Sequence, residues 1–209
     1  MFSAEEMQLK LGKIHNIDCL EFMRQVPDNY FDLVLTDPPY GIGFSSNPVR
    51  GSHEKKDWDS ATPNNDVFNE IFRISKNQII WGGNYFDLPP TKGFVIWDKD
   101  QPLEFTLAMY EYAWTSFDKP AKGLKYPVRL IGGDKFHPTM KPIELMNFCL
   151  RYAKVESGCK IFDPFAGSCT TAVAAESMGL EWCVCELEQD YCKIGQDRLK
   201  NIQVDLFGL

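Results

Sequence analysis

Lys160-Ile161-Phe162-Asp163-Pro164-Phe165-Ala166-Gly167-Ser168-Cys169-Thr170-Thr171 decides the fold. A short apolar run ends in an acid and a proline, then passes through a small-residue turn into the alanine-rich segment Thr171 to Met178, which Gly179 closes. This reads as strand, turn and helix. Glu181-Trp182-Cys183-Val184-Cys185-Glu186 reads as the next strand, and Tyr191 to Leu199 as another helix. A βαβα unit of this kind requires a parallel sheet, so the class is α/β. Cys183 and Cys185 alternate and are expected on one face of their strand.

The turn has the composition of a nucleoside-cofactor site. Gly167 and its small hydroxylated neighbours let a ligand approach the backbone. The helix N-terminus behind them offers N–H groups to an anion. Glu186 lies 19 residues past Gly167, a spacing that suits hydrogen bonds to ribose hydroxyls. A dinucleotide oxidoreductase would share these features, but no full GxGxxG is present.

Upstream, His137-Pro138-Thr139-Met140-Lys141-Pro142 precedes an amphipathic helix with Ile143, Met146, Cys149, Leu150 and Ala153 on one side. Pro142 suits its first turn and Thr139 its cap. In the N-terminal half, Phe31 to Leu35 reads as a buried strand that delivers Asp37-Pro38-Pro39-Tyr40 at its tip. Each proline fixes its own φ and pushes the preceding residue toward an extended form. The loop is therefore stiff. Asp37 and the Pro38 carbonyl form an acceptor pair for a planar amino group, and Tyr40 offers a face for its ring. Ile14 to Asp18 reads as a short strand, with Asp18 capping a helix that begins at Cys19. Gly41 to Asp59 reads as a polar loop and Asn65 to Ser75 as a helix. Gln78 to Trp81, Phe94 to Trp97 and Glu104 to Trp114 read as strands.

The 209 residues suffice for one domain with an insertion. No run approaches the roughly 18 apolar residues of a membrane span, and Met1 to Lys10 has no apolar signal core, so a cytosolic protein is expected. The seven cysteines include no CxxC pair, and with only three histidines they read as buried reduced thiols rather than zinc ligands. A net charge of −7 argues against a general charge-driven nucleic-acid binder. A local basic stretch remains at Lys119, Lys122, Lys125, Arg129 and Lys135. Arg50, Lys55 and Lys56 lie in the polar loop.

Taken in order, these motifs resemble the S-adenosylmethionine-dependent DNA amino-methyltransferases of the β-type order, the adenine-N6 and cytosine-N4 family. Asp37-Pro38-Pro39-Tyr40 is similar to the family's catalytic segment, and Asp163 to Ser168 to its cofactor loop. His137 to Pro142 is similar to the segment just before that loop. Trp81-Gly82-Gly83-Asn84-Tyr85-Phe86 is similar to a stretch common in small phage-type members. The resemblance implies a Rossmann-like methyltransferase fold with a mainly parallel central sheet and permuted motif order. It implies a single domain over 1–209, with target recognition within 41–135. S-adenosylmethionine is the implied cofactor, bound by Asp18, Cys19, Asp37, His137, Thr139, Lys141, Phe165, Ala166, Gly167, Ser168, Thr170, Thr171 and Glu186. Asp37, Pro38, Pro39 and Tyr40 are the implied catalytic residues, without a metal. The implied substrate is adenine N6 in duplex DNA, flipped from the helix. A homodimer is a further family habit. Cytosine N4, an amine in RNA or a protein glutamine, and a non-catalytic DNA-binding derivative are the alternatives. One departure stands out. Cys169 occupies a place where the family usually has glycine, and its Cβ is costly if that place requires positive φ.

Overall fold

The computed structural model describes residues 1–42, 61–104, 108–130 and 140–207, with side chains through 202. The expected loop is therefore seen only at its first residues, and Arg50, Lys55, Lys56, Lys135, His137 and Thr139 lie outside the described residues.

The strands are β1 (Lys13–His15), β2 (Leu33–Thr36), β3 (Gln78–Trp81), β4 (Phe94–Asp98), β5 (Tyr110–Thr115), β6 (Lys122–Lys125), β7 (Lys160–Asp163) and β8 (Glu181–Cys185). They form one sheet in the order β1-β8-β7-β2-β3-β5-β4-β6. Every pairing is parallel except those of β5, which runs antiparallel to β3 and to β4. The helices are α1 (Ala4–Gln8), α2 (Cys19–Met23), α3 (Asn65–Ile74), α4 (Ile143–Ala153), α5 (Thr170–Ser177) and α6 (Gln189–Phe207).

The central strand β2 shows why helices cover both faces. All its residues are buried. Leu33 and Leu35 pack in one cluster with Leu145, Met146 and Cys149 of α4 and the alanines of α5. Val34 points the other way, into a cluster with Phe22 and Met23 of α2 and Phe68, Ile71 and Ile74 of α3. A continuous apolar run buried on both sides is the pattern of a parallel strand. Cys183 and Cys185 share the second cluster while Val184 faces the first, as the alternation requires. All seven cysteines are free thiols, buried except for the half-buried Cys159.

Local sequence sets the helix ends. Asp18 caps α2, accepting from the N–H groups of Leu20 and Glu21 through Oδ1. Asn64 caps α3 in the same way at Val67. At ten residues α3 would be marginal alone. Packing holds it, since burying each large apolar side chain stabilises by about 1.5–3 kcal/mol.

Several boundaries differ from the sequence reading. Pro142 is the residue before α4, not within its first turn, and supplies no side-chain cap. β5 begins at Tyr110, not Glu104, and α6 runs well past Leu199. β6 was not expected. It is a polar edge strand whose lysines deter further pairing, and it lacks the apolar alternation that marks a strand. α1 was also missed, although Ser3 and Glu6 form a capping box.

Candidate active site

The tips of β2, β7 and β8 open onto one cavity of about 860 Å³. Every described residue named above as catalytic or cofactor-binding lines it: the Asp37 to Tyr40 loop, Asp18, Cys19, Lys141, Phe165 to Ser168, Thr170, Thr171 and Glu186. Strands β2 and β7 are adjacent although Leu33 and its partner Ile161 are distant in the chain. A buried hydrogen bond joins their tips, the Thr36 hydroxyl donating to Asp163 at 2.7 Å.

At one end of the cavity, Gly167 (φ +50°) and Cys169 (φ +62°) both take left-handed backbone. The position of Cys169 therefore does demand the conformation that glycine adopts freely. For a residue with a Cβ this costs about 1–2 kcal/mol. The surrounding structure makes room for the side chain. An added Cβ at Gly195 of α6 would collide with the Cys169 sulfur. Arg198, nearly one turn further along α6, donates to the Ser168 carbonyl at 2.5 Å and to the Ser168 and Thr170 hydroxyls at 3.1 Å. Helix α6 thus holds the turn from behind.

Glu186 lies across this turn. Its Oε2 accepts from the Gly167 N–H at 2.7 Å and its Oε1 from the Glu188 N–H at 2.8 Å. Burial raises its carboxyl to about 7 against those N–H groups, and raises Asp163 to about 6. Neither has an ion-pair partner among the described residues. Uncompensated carboxylates beside a glycine turn and a helix start without a side-chain cap fit a ligand that carries ribose, a carboxylate and positive charge.

At the other end, the Asp37 side chain is 23% exposed and otherwise enclosed. The Tyr40 hydroxyl donates to its Oδ1 at 2.5 Å, and the Lys141 ammonium to its Oδ2 at 2.5 Å. Lys141 is only 6% exposed and also faces Glu111 Oε2 at 3.0 Å, while Lys99 reaches Glu111 Oε1 at 2.5 Å. Burial raises the Asp37 carboxyl, opposed by Lys141 and reinforced by Glu111. Burial pushes Lys141 down, but its two carboxylate neighbours prevail and hold it above the usual lysine value. So Lys141, expected at the cofactor, has its ammonium on Asp37.

The Tyr40 ring stacks on Tyr85, 4.8 Å between centroids and 12° between planes. Its underside rests on Gly82 (φ +68°), where an added Cβ would run into the ring. Gly83, in the 3₁₀ turn that presents Tyr85, packs against the Trp114 Cβ. This is the physical reason for the two glycines in Trp81 to Phe86.

Sequence reasoning missed Glu111, Lys99 and Arg198, and named Tyr85 only within the Trp81 to Phe86 stretch without a role. Glu111 alone left a signal. In the alternating strand Tyr110 to Thr115 it occupies the same face as the buried Ala113, a charge where an apolar residue is expected. The basic stretch, read as a local surface, is largely engaged. Lys119 donates to the Tyr152 carbonyl at the end of α4, and Lys125 and Arg129 both pair with Asp100. Among the described residues no helix is long and apolar enough to cross a membrane.

Comparison with known proteins agrees with this geometry. The chain is 28% identical over 206 residues to the putative methylase YubD of Escherichia coli (strain K12), covering 89% of each. It superposes on TTHA0409, a putative DNA modification methylase of Thermus thermophilus crystallised with S-adenosyl-L-methionine, with a TM-score of 0.58 at 19% identity over 91% of this chain and 93% of that one. The PvuII DNA methyltransferase, which is cytosine-N4-specific, gives 0.63 at 16% identity over 94% and 91%. These structures share the Rossmann-like methyltransferase fold. Residues 76–197, more than half of the chain, match the model for N6/N4 DNA methylases, so the chain belongs to that family of DNA methylases.

Proposed function

We propose that the protein methylates the exocyclic N6 of adenine in duplex DNA, with S-adenosylmethionine as the methyl donor. The observation that carries this reading is the placement of Asp37, at the tip of β2, in the same cavity as the Gly167 turn and Glu186. Phe165 to Thr171 would hold the amino-acid end of the donor, Glu186 its ribose, and Asp18 and Cys19 the side of its adenine. When bound, it supplies an electrophilic methyl group on a sulfonium.

The chain's own residues prepare the amine. An exocyclic amine is a poor nucleophile because its lone pair is delocalised into the ring. Asp37 accepts one N–H and the Pro38 carbonyl the other, which favours the pyramidal, localised form. As the nitrogen gains positive charge, the fixed carboxylate stabilises it without reorganisation. Tyr40 stacks on the flipped ring, which takes the place Tyr85 holds against it, and the two prolines keep the acceptors aligned. Target reading falls to residues 41–135. Arg50, Lys55 and Lys56, with the exposed Lys122, Lys125 and Arg129, are the cations we assign to DNA.

Adenine is favoured over cytosine by resemblance: the acid that opens Asp37-Pro38-Pro39-Tyr40 is similar to that of adenine-N6 members, where cytosine-N4 members more often carry serine. The fold shared with the cytosine-N4-specific PvuII enzyme supports N4 as the second reading. Incubation with labelled S-adenosylmethionine and unmethylated duplex DNA, followed by digestion to nucleosides, decides between them. Label in N6-methyl-2′-deoxyadenosine is expected. Label in N4-methyl-2′-deoxycytidine would replace the base assignment, and label appearing only with RNA would replace the substrate class.

A further inference from the structure

Four side chains beneath the Asp37 loop form a line of alternating charge. Asp37 pairs with Lys141 at 2.5 Å, Lys141 with Glu111 at 3.0 Å, and Glu111 with Lys99 at 2.5 Å. They come from separate places: the tip of β2, the segment before α4, the start of β5 and the residue after β4. The antiparallel pairing of β4 with β5 sets Trp97 opposite Glu111 and so brings Lys99 to Glu111. Lys99, Lys141 and Glu111 are 13%, 6% and 21% exposed. Charges so placed are costly to bury and persist only when each has a partner. The line is neutral in sum, yet it is not symmetric toward the cavity. Its negative end, Asp37, lies where the amine enters, and its positive end, Lys99, is the member furthest along the line.

We propose that Glu111 is a positioning residue for methyl transfer, drawing on Lys141 so that its ammonium does not cancel the field of Asp37 at the moment the amine becomes positive. This rests on the reading of Asp37 given above. An isolated Lys141 in contact with Asp37 would cancel most of the field that the amine meets. Glu111 draws on the same ammonium from the other side. The charge of Lys141 is thereby shared between two carboxylates, and the ammonium is fixed on Oδ2. Oδ1, now occupied by the Tyr40 hydroxyl, is then the oxygen that receives the incoming N–H. Lys99 balances Glu111 from its far side, so the unit as a whole carries no net charge.

The test compares Glu111→Gln, Glu111→Asp and the double variant Glu111→Gln/Lys99→Gln with the unaltered protein. The measurements are single-turnover transfer to duplex DNA, the KM for DNA, the Kd for S-adenosylmethionine and the thermal midpoint. Glu111→Gln is expected to slow transfer by about ten- to a hundredfold, the scale of one charge acting across a water-poor site. Both binding constants should stay within about threefold. Glu111→Asp, which keeps the charge, should stay within about fivefold of the unaltered rate. The double variant leaves no unpaired buried charge, so it keeps the test readable if Glu111→Gln alone does not fold. It too is expected to lose about tenfold or more, because Lys141 then rests on Asp37 alone. A folded Glu111→Gln or double variant that transfers at the unaltered rate overturns the proposal. So does a loss confined to the two binding constants, or one that Glu111→Asp shares in full. Failure of the underlying reading looks different, since the unaltered protein itself would then place no label on adenine in the same assay.

Discussion

The two ends of the cavity solve the problem of buried charge in opposite ways. At the Gly167 end, Glu186 and Asp163 meet only N–H and hydroxyl donors, and burial lifts both carboxyls. At the Asp37 end, each charge meets an opposite one, and Lys141 and Glu111 are held ionised by their neighbours. An end without its own cations suits a ligand that brings positive charge. An end with alternating charges keeps its field whether or not anything is bound. On the proposed reading, the first is completed by its ligand, and the second is preorganised for a charge that exists only during reaction.

Asp37→Ala breaks this contrast most sharply. It should lower methyl transfer by about a hundredfold or more, while the Kd for S-adenosylmethionine moves less than about threefold because the Gly167 turn is untouched. Turnover above about a tenth of the unaltered rate would remove Asp37 from the role given to it. The converse change is Gly195→Ala, which forces a Cβ against the Cys169 sulfur. It should destabilise the fold by about 1–3 kcal/mol in urea titrations. In a Cys169→Gly background the same substitution should be neutral or stabilise by up to about 1 kcal/mol, since alanine replaces a glycine inside a helix. Equal destabilisation in both backgrounds would show that Cys169 and Gly195 do not share one space.

The smallest effect is the response to pH. Glu186 has a raised carboxyl, so it takes up a proton as the pH falls through about 7. Affinity for S-adenosylmethionine, followed by calorimetry, should strengthen by about tenfold between roughly pH 6 and 8, and Glu186→Gln should flatten the curve. Stability moves the other way. A buried acid that holds its proton longer in the folded state contributes most below its unfolded value of 4.5 and loses that contribution as the pH rises to about 7. Transfer from bound cofactor should not follow this titration, because Lys141 stays charged across the range. A cofactor affinity independent of pH would mean that Glu186 does not touch the ligand as a carboxylate.

The same contrast explains what could be read from the sequence. The Gly167 end is one contiguous strand-turn-helix-strand, so its residues, their spacing to Glu186 and the parallel sheet were all legible in Lys160 to Glu186. The Asp37 end is assembled from four separated places. Asp37 and Tyr40 were legible because prolines mark their loop. Lys141 was legible as a site residue but was expected at the cofactor, because its nearest motif in sequence is the cofactor loop. Glu111 and Lys99 meet only through the β4–β5 register, which no local pattern specifies. The cost of Cys169 was legible as a question, but its answer needed the distant Gly195. The polar edge strand β6 gave no signal because what holds it is pairing with β4, not burial.

Strand order also governs how the chain can assemble. The carboxylate-bearing strand β2 sits in the middle of the sheet, yet its neighbour β7 is drawn from the last quarter of the chain, and among the described residues β1 pairs only with β8. The first half of the chain therefore cannot complete a core by itself. Loops of roughly a hundred residues or more must close before α4 and α5 cover Leu33 and Leu35, which places the protein among slow folders of high contact order. The unit that builds the Gly167 turn is thus also the last piece needed to close the sheet around Asp37. A chain interrupted before β7 would expose an apolar central strand and carry the reactive loop without a framework.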